Sequence, residues 1–202
     1  EISACLVGSE MCIRDRFLGV DMDRAELLDK IRRIDENAFF SGTVEQGVRA
    51  KMVIIGASAL LLCELSQKGV TKDVDVLEAE QVIKRFISED RDFNSYCSAY
   101  AQCLPYNFED RLVKIEIETY VIDIYVPSIE DLAVMKLYRW EQPDKSDLTA
   151  SEFLNKLNWS LLEHLVYSPD EAAASRSTVP ENDRELRNLR FNYKEYEEGW
   201  RK

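Results

Sequence analysis

The stretch MVIIGASALLLCELSQKGVTKDVDVL, residues 52–77, decides how the chain is read. Met52 to Ile55 is a short apolar, β-branched run, suited to a buried strand. Gly56 ends it, and small residues follow at Ala57, Ser58 and Ala59. Small side chains there let a backbone or a phosphate come close, and N–H groups at the start of a following helix favour an anion. Ala59 to Gln67 reads as an apolar helix, and Gly69 just past it suits a C-terminal cap. Lys72-Asp-Val-Asp-Val76 then reads as a second strand. Residues two apart on a strand share a side, so Asp73 and Asp75 face one way while Val74 and Val76 face the other. Carboxylates this close repel, and they persist together most naturally around a cation.

Downstream of this stretch, Gln81 to Ile87 has the spacing of a short amphipathic helix. Residues 88–103 are polar and aromatic without a period and read as a connection with a short helix. Residues 112–126 read as a hairpin. Lys114, Glu116 and Glu118 alternate with Val113, Ile115 and Ile117, Thr119-Tyr120 sits near the turn, and Val121 to Val126 forms the second arm up to Pro127. Ser128 and Asp131 have a loose capping-box spacing at the start of a helix over 132–140. Lys136 lies inside that apolar helix, either snorkelling to the surface or reaching an anion. Arg139 follows on the same face. Asp144 and Asp147 form an acidic segment next to it, and Asp147 or Thr149 suits the cap of a helix over 151–157.

The order of these pieces resembles the nucleotidyltransferase superfamily that includes DNA polymerase β. Its signature is a hydrophobic strand ending in Gly-Gly or Gly-Ser, a helix, then Asp-x-Asp or Asp-x-Glu on the next strand. Here the first element is Gly56-Ala57-Ser58, with Ala57 where a second glycine or serine is usual, and the second is Asp73-x-Asp75. The segments Leu104 to Arg111 and Val126 to Leu137 are similar to an uncharacterised prokaryotic nucleotidyltransferase-like family. That family is related to the nucleotidyltransferases of abortive-infection and toxin–antitoxin systems.

The resemblance implies an α/β (α+β) fold, a mixed sheet with flanking helices. The domain spans 17–148, with a C-terminal helical region over 149–202. It also implies an enzyme that moves a nucleotidyl group from a nucleoside triphosphate to a hydroxyl on a protein or RNA. Asp73 and Asp75 would hold Mg²⁺ or Mn²⁺. A third acid would come from Glu116 or Asp123, with Glu116 preferred. The Gly56 backbone and Ser58 would bind the triphosphate, and Lys136 would face the cleft. A cognate partner protein in a defence or toxin–antitoxin locus is part of the same expectation. The alternative is a non-catalytic member of the fold that binds a nucleotide or a partner, since fold does not fix function.

Composition narrows the field further. The chain has 202 residues, 46% of them hydrophobic, enough for a sizeable core in one domain, or in one domain plus a small helical appendage. A net charge of −12 argues against a sequence-independent grip on nucleic acid, which needs a basic surface. No apolar run is long enough for a membrane span, and no G-x-G-x-x-G supports a dinucleotide-binding fold. Residues 1–16, EISACLVGSEMCIRDR, resemble translated sequencing-adapter read-through, and Cys5 and Cys12 are set aside with them. The remaining Cys63, Cys97 and Cys103 are irregularly spaced, lack the partners of a zinc site and indicate reduced thiols in a cytoplasm. A single histidine, His164, on the surface of a helix, leaves no material for a Ser-His-Asp triad or a two-His zinc centre. Arg184, Arg187 and Arg190 recur every three residues on a C-terminal helix ending in Phe191, Tyr193, Tyr196 and Trp200. This stripe reads first as a surface helix pairing with nearby acids and second as an RNA or partner contact.

Overall fold

The computed structural model describes residues 21–95, 97–168 and 184–201. The 1–16 prefix with Cys5 and Cys12, and a short helix expected around Ala172 to Ala174, lie outside these residues. The chain enters through a two-residue strand, β1 (Met22–Asp23), into helix α1 (Arg24–Phe40). Asp23 caps α1 by accepting the Glu26 N–H, and the Glu26 side chain reaches back to the Asp23 N–H, a reciprocal capping box. Leu27, Ile31, Ile34 and Ala38 form the buried stripe of α1, at the spacing of a helix with one face in the core.

The central strand β2 (Ala50–Ile55) follows, then helix α2 (Gly56–Leu62), a short β3 (Val70–Thr71) and β4 (Val74–Ala79). Met52 to Ile55 are all buried, as they must be in a strand covered on both faces. Helix α3 (Gln81–Glu89) leads to a two-residue β5 (Phe93–Asn94) and two 3₁₀ turns, Cys97–Cys103 and Phe108–Arg111. A two-residue β6 (Val113–Lys114) precedes β7 (Ile122–Val126). One mixed sheet runs β5-β4-β2-β7-β6, while β1 and β3 pair separately. In it β2 is antiparallel to β4 and parallel to β7, so 52–55, the Asp-x-Asp strand and both hairpin arms share a sheet, as expected.

Several extents differ from the sequence reading. β4 begins at Val74, one residue past Asp73, and the helix expected from 132 begins at Ile129. The helix expected over 151–157 ends at Leu154, with Ala150 rather than Asp147 or Thr149 at its N-cap. The helix after Gly56 ends at Leu62 rather than at Gln67, because Cys63 caps it and Glu64 turns into the left-handed region. Gly69, with φ +66°, serves the later turn into β3 instead of a helix cap. The first hairpin arm pairs regularly only over Val113–Lys114, with one further bond from the Ile115 N–H to the Ile124 carbonyl. It forms one edge of the sheet, and among the described residues no strand pairs its outer side.

Helix α4 (Ile129–Arg139) starts at Ser128, whose side chain accepts the Asp131 N–H. It is followed by α5 (Gln142–Leu148), α6 (Ser151–Leu154), α7 (Trp159–Tyr167) and α8 (Arg184–Trp200). Both α7 and α8 pack on α4. Two of the four α8 aromatics are structural: Tyr193 and Tyr196 are fully buried, and Tyr196 stacks at a tilt on Trp159 and donates its hydroxyl to the Leu148 carbonyl, while Phe191 and Trp200 are exposed. Arg190 reaches the Val166 and Tyr167 carbonyls at the end of α7, so one member of the basic stripe closes a helix end. No helix among the described residues is long and apolar enough to cross a membrane.

Candidate functional site

The chain reverses between β2 and β4 so that Ile55 lies opposite Asp75. Gly56, the next residue, adopts φ +71°, a conformation glycine takes without the steric cost of a Cβ. A Cβ there would stand 2.7 Å from Oδ2 of Asp75. The glycine therefore lets the strand-to-helix turn close onto this carboxylate. Ser58 is buried, and its hydroxyl donates to the Ile55 carbonyl at 2.8 Å, which tightens the same turn.

The other oxygen of Asp75 is held from the opposite side. Asn94 on β5, paired with Asp75 in the parallel register, donates its Nδ2 to Oδ1 at 3.1 Å. Cys97, at the start of the first 3₁₀ turn, donates its thiol to the same atom at 3.2 Å. Burial pushes the Cys97 thiol well above its ordinary range, and the charges of Asp75 and Asp73 push it the same way, so both acids act on one point. Both carboxylates are half-buried, and Val74 and Val76 between and beyond them go into the core. The burial alternation expected over Asp73 to Val76 is present, but β4 begins at Val74, so Asp73 stands just before the strand rather than on it. Asn94 and Cys97 were not among the candidates from sequence, because nothing in the aperiodic 88–103 segment marks them.

Lys136, Asp144 and Asp147 meet, but not in the way the resemblance implied. Lys136 is buried, with Nζ 2.6 Å from Asp147 and 3.3 Å from Asp144. Its charge is thus offset by two carboxylates of α5. Asp144, wholly buried, also takes a forked pair of bonds from Arg139, at 3.0 Å from Nε and 2.5 Å from Nη2. Asp144 is in addition the N3 residue of the α5 capping box with Glu141, so a cap and a charge role coexist in one side chain. Tyr100, on the same 3₁₀ turn as Cys97, connects the two clusters: burial raises its phenol, the neighbouring Arg139 lowers it, and Asp75 raises it again.

The candidate third acids stand elsewhere. Glu116 is exposed on the extended stretch past β6. Asp123 on β7 is bound by Arg49 at 2.5 Å and Lys114 at 3.0 Å. It pairs with Lys51, four residues before Ile55 on β2, which sets it roughly 13 Å along the sheet from the level of Asp75 at ~3.3 Å per residue. Among the described residues no group of three His, Cys, Asp or Glu could hold a metal. Two oxygen-donor carboxylates two residues apart still suit Mg²⁺, which keeps waters and is commonly held by one or two carboxylates together with substrate phosphates. The residues present fit a single ion completed by a nucleotide; they do not assemble a three-carboxylate cage.

Residues 29–201 match the model of a family described as nucleotidyltransferase of unknown function (DUF6036). No curated protein and no solved structure matches the chain.

Proposed function

Because the chain belongs to this family of nucleotidyltransferases of unknown function, we propose that it transfers a nucleotidyl group from a nucleoside triphosphate to a hydroxyl of a protein or RNA acceptor. The observation that carries the reading is the Asp75 carboxylate, held between Gly56 on one side and Asn94 and Cys97 on the other, with Asp73 two residues away. Asp73 and Asp75 would hold Mg²⁺ or Mn²⁺, and the bound ion would offset charge on the phosphates. The acceptor oxygen attacks the α-phosphorus, the bond from that phosphorus to the bridging oxygen breaks, pyrophosphate leaves, and the hydroxyl proton is released. Gly56 supplies a turn without a side chain beside Asp75, where a phosphate can approach. Lys136 acts at one remove: it holds Asp144 and Asp147, and Asp144 holds the half-exposed Arg139 guanidinium, a cation suited to phosphate. A cognate partner protein in a defence or toxin–antitoxin locus remains part of this proposal.

One observation favours a second reading. Among the described residues no third carboxylate joins Asp73 and Asp75, which suits a member of the fold that binds a nucleotide without chemistry. Incubation with each labelled nucleoside triphosphate, Mg²⁺, and total cellular RNA and protein separates the two. Label transferred to a macromolecule, and lost in Asp75→Asn, supports the enzyme. Nucleotide binding without transfer supports the second reading.

A further inference from the structure

We propose that Asn94 and Cys97 are positioning residues that fix which oxygen of Asp75 meets the metal. This rests on the reading of Asp73 and Asp75 as metal ligands. A carboxylate can rotate about its Cβ–Cγ bond and offer either oxygen, so a bare Asp on a strand end is a poorly oriented ligand. Here both donors converge on Oδ1, at 3.1 Å from Asn94 and 3.2 Å from Cys97. They come from consecutive parts of one connection, β5 and the 3₁₀ turn after it, and the parallel pairing of Asn94 with Asp75 sets that connection alongside β4. Oδ2 is turned to the opposite side, against Gly56. That is the side on which the proposed function places the nucleotide.

The chemistry of the two donors suits the task. A neutral amide and a neutral thiol orient the carboxylate without cancelling its charge, as a Lys or Arg partner would. The thiol is the weaker donor. Its sulfur also lies 3.4 Å from the Asn94 carbonyl, but the single S–H proton favours the charged acceptor. The arrangement parallels the outer partners of metal-ligating side chains, whose loss typically costs about 10–100-fold in metal affinity.

The test is a Mn²⁺ titration followed by electron paramagnetic resonance, which counts free Mn²⁺ directly, on the full chain and on Asn94→Ala, Cys97→Ala and Cys97→Ser. Thermal unfolding of the metal-free proteins runs in parallel. Positioning predicts that Asn94→Ala and Cys97→Ala bind Mn²⁺ about 10–100-fold more weakly, and that Cys97→Ser, which keeps a donor, recovers most of the loss. Asn94 is only half-buried, so its truncation leaves no sealed cavity and decides the matter if Cys97→Ala does not fold. Folded variants that bind Mn²⁺ within twofold of wild type, with only the melting temperature lowered, would show both residues to be structural and overturn the inference. A wild-type chain that binds no Mn²⁺ would instead overturn the metal reading itself, and the inference would fall with it.

Discussion

Gly56, in the turn from β2 to α2, packs against Asp75 on the neighbouring strand β4, so closely that a Cβ on the glycine would lie 2.7 Å from the aspartate Oδ2. No real Cβ tolerates that approach, and the φ of +71° is strained for any residue with one. The superfamily-like glycine is therefore tied by sterics to the acid that comes 19 residues later in the chain. Gly56→Ala should displace the Asp75 carboxylate and destabilise the fold by about 1–3 kcal/mol, combining backbone strain with the forced shift. Urea unfolding measures the loss. Ala57→Gly, at a neighbouring position of the same turn, is the control and should not disturb Asp75.

Asp35 is a buried carboxylate at the far end of the sheet from Asp75. It is 1% exposed and accepts the N–H groups of Tyr120, Val121 and Ile122 at 2.6, 2.8 and 2.9 Å. These bonds tie α1 to the start of β7. Asp35→Ala would leave two buried donors, at Val121 and Ile122, and a part-buried one at Tyr120 without this acceptor, and should cost about 3 kcal/mol in urea unfolding, since each orphaned group carries its own desolvation penalty. Asp35→Asn keeps an acceptor oxygen and should lose less.

The Lys136 cluster should behave as a unit. Removing one member of a buried ion pair typically costs about 3–5 kcal/mol, because the other charge stays buried and uncompensated. Lys136→Met should therefore be strongly destabilising. In the double variant Lys136→Met with Asp147→Asn, Asp144 retains Arg139, and much of the loss should return. Chemical denaturation of the two proteins checks this. Equal stabilities would mean that Asp147 is not coupled to Lys136.

Asp123 gives a pH dependence. Burial raises its carboxyl, but the hydrogen bonds from Arg49 and Lys114 outweigh burial and hold it below the usual carboxylate range. A depressed folded-state value means that this contribution is fully present above the unfolded value of about 3.9 and is lost as pH falls through the lower folded value. Arg49 and Lys114 are both partly exposed, so the contribution is screened to about 1 kcal/mol or less. Asp123→Asn should flatten the acid limb of stability below pH ~4 by that amount and leave stability at neutral pH lower by the same increment. Denaturation at a series of pH values reads both effects.

What the sequence made legible was local. Four apolar residues before a glycine, and the alternation of Asp73, Val74, Asp75 and Val76, carry their own periodicity; β2 covers all of the first run, and β4 covers Val74 to Val76 and leaves Asp73 just before it. The hairpin arm was overextended because alternation measures which side chains meet water, not which backbone groups pair. Glu116 is exposed and Ile115 and Ile117 half-buried on a stretch whose regular pairing has already ended. Asn94 and Cys97 were invisible for a different reason. Their role arises only when β5 pairs with β4, a contact that no local pattern encodes. Lys136 is visible in the sequence as a cation inside an apolar helix, snorkelling or reaching an anion, and Asp144 and Asp147 as an acidic segment, but nothing local shows that the two acids, 8 and 11 residues on, are what the lysine reaches.

The carboxylates themselves give the decisive test of the metal reading. Asp75→Asn preserves the local shape: an amide oxygen can still accept from Asn94 and Cys97, and the amide nitrogen takes the place of Oδ2 beside Gly56. Asp73→Asn removes the second charge. In the metal-free protein the double variant relieves like-charge repulsion, so its melting temperature should match or exceed that of wild type. Wild type should gain stability from Mg²⁺ or Mn²⁺ with a nucleoside triphosphate by mass action, about 2.7 kcal/mol at a hundredfold excess over the dissociation constant. The double variant should gain none. If instead the pair merely ends a strand, metal and nucleotide leave wild type unmoved, and the double substitution costs within ~0.5 kcal/mol, as at an ordinary surface site. A thermal-shift titration of both proteins with each of the four ribonucleotides distinguishes these outcomes. A wild type that responds to nucleotide without metal, with the double variant responding equally, would assign the nucleotide to groups other than Asp73 and Asp75.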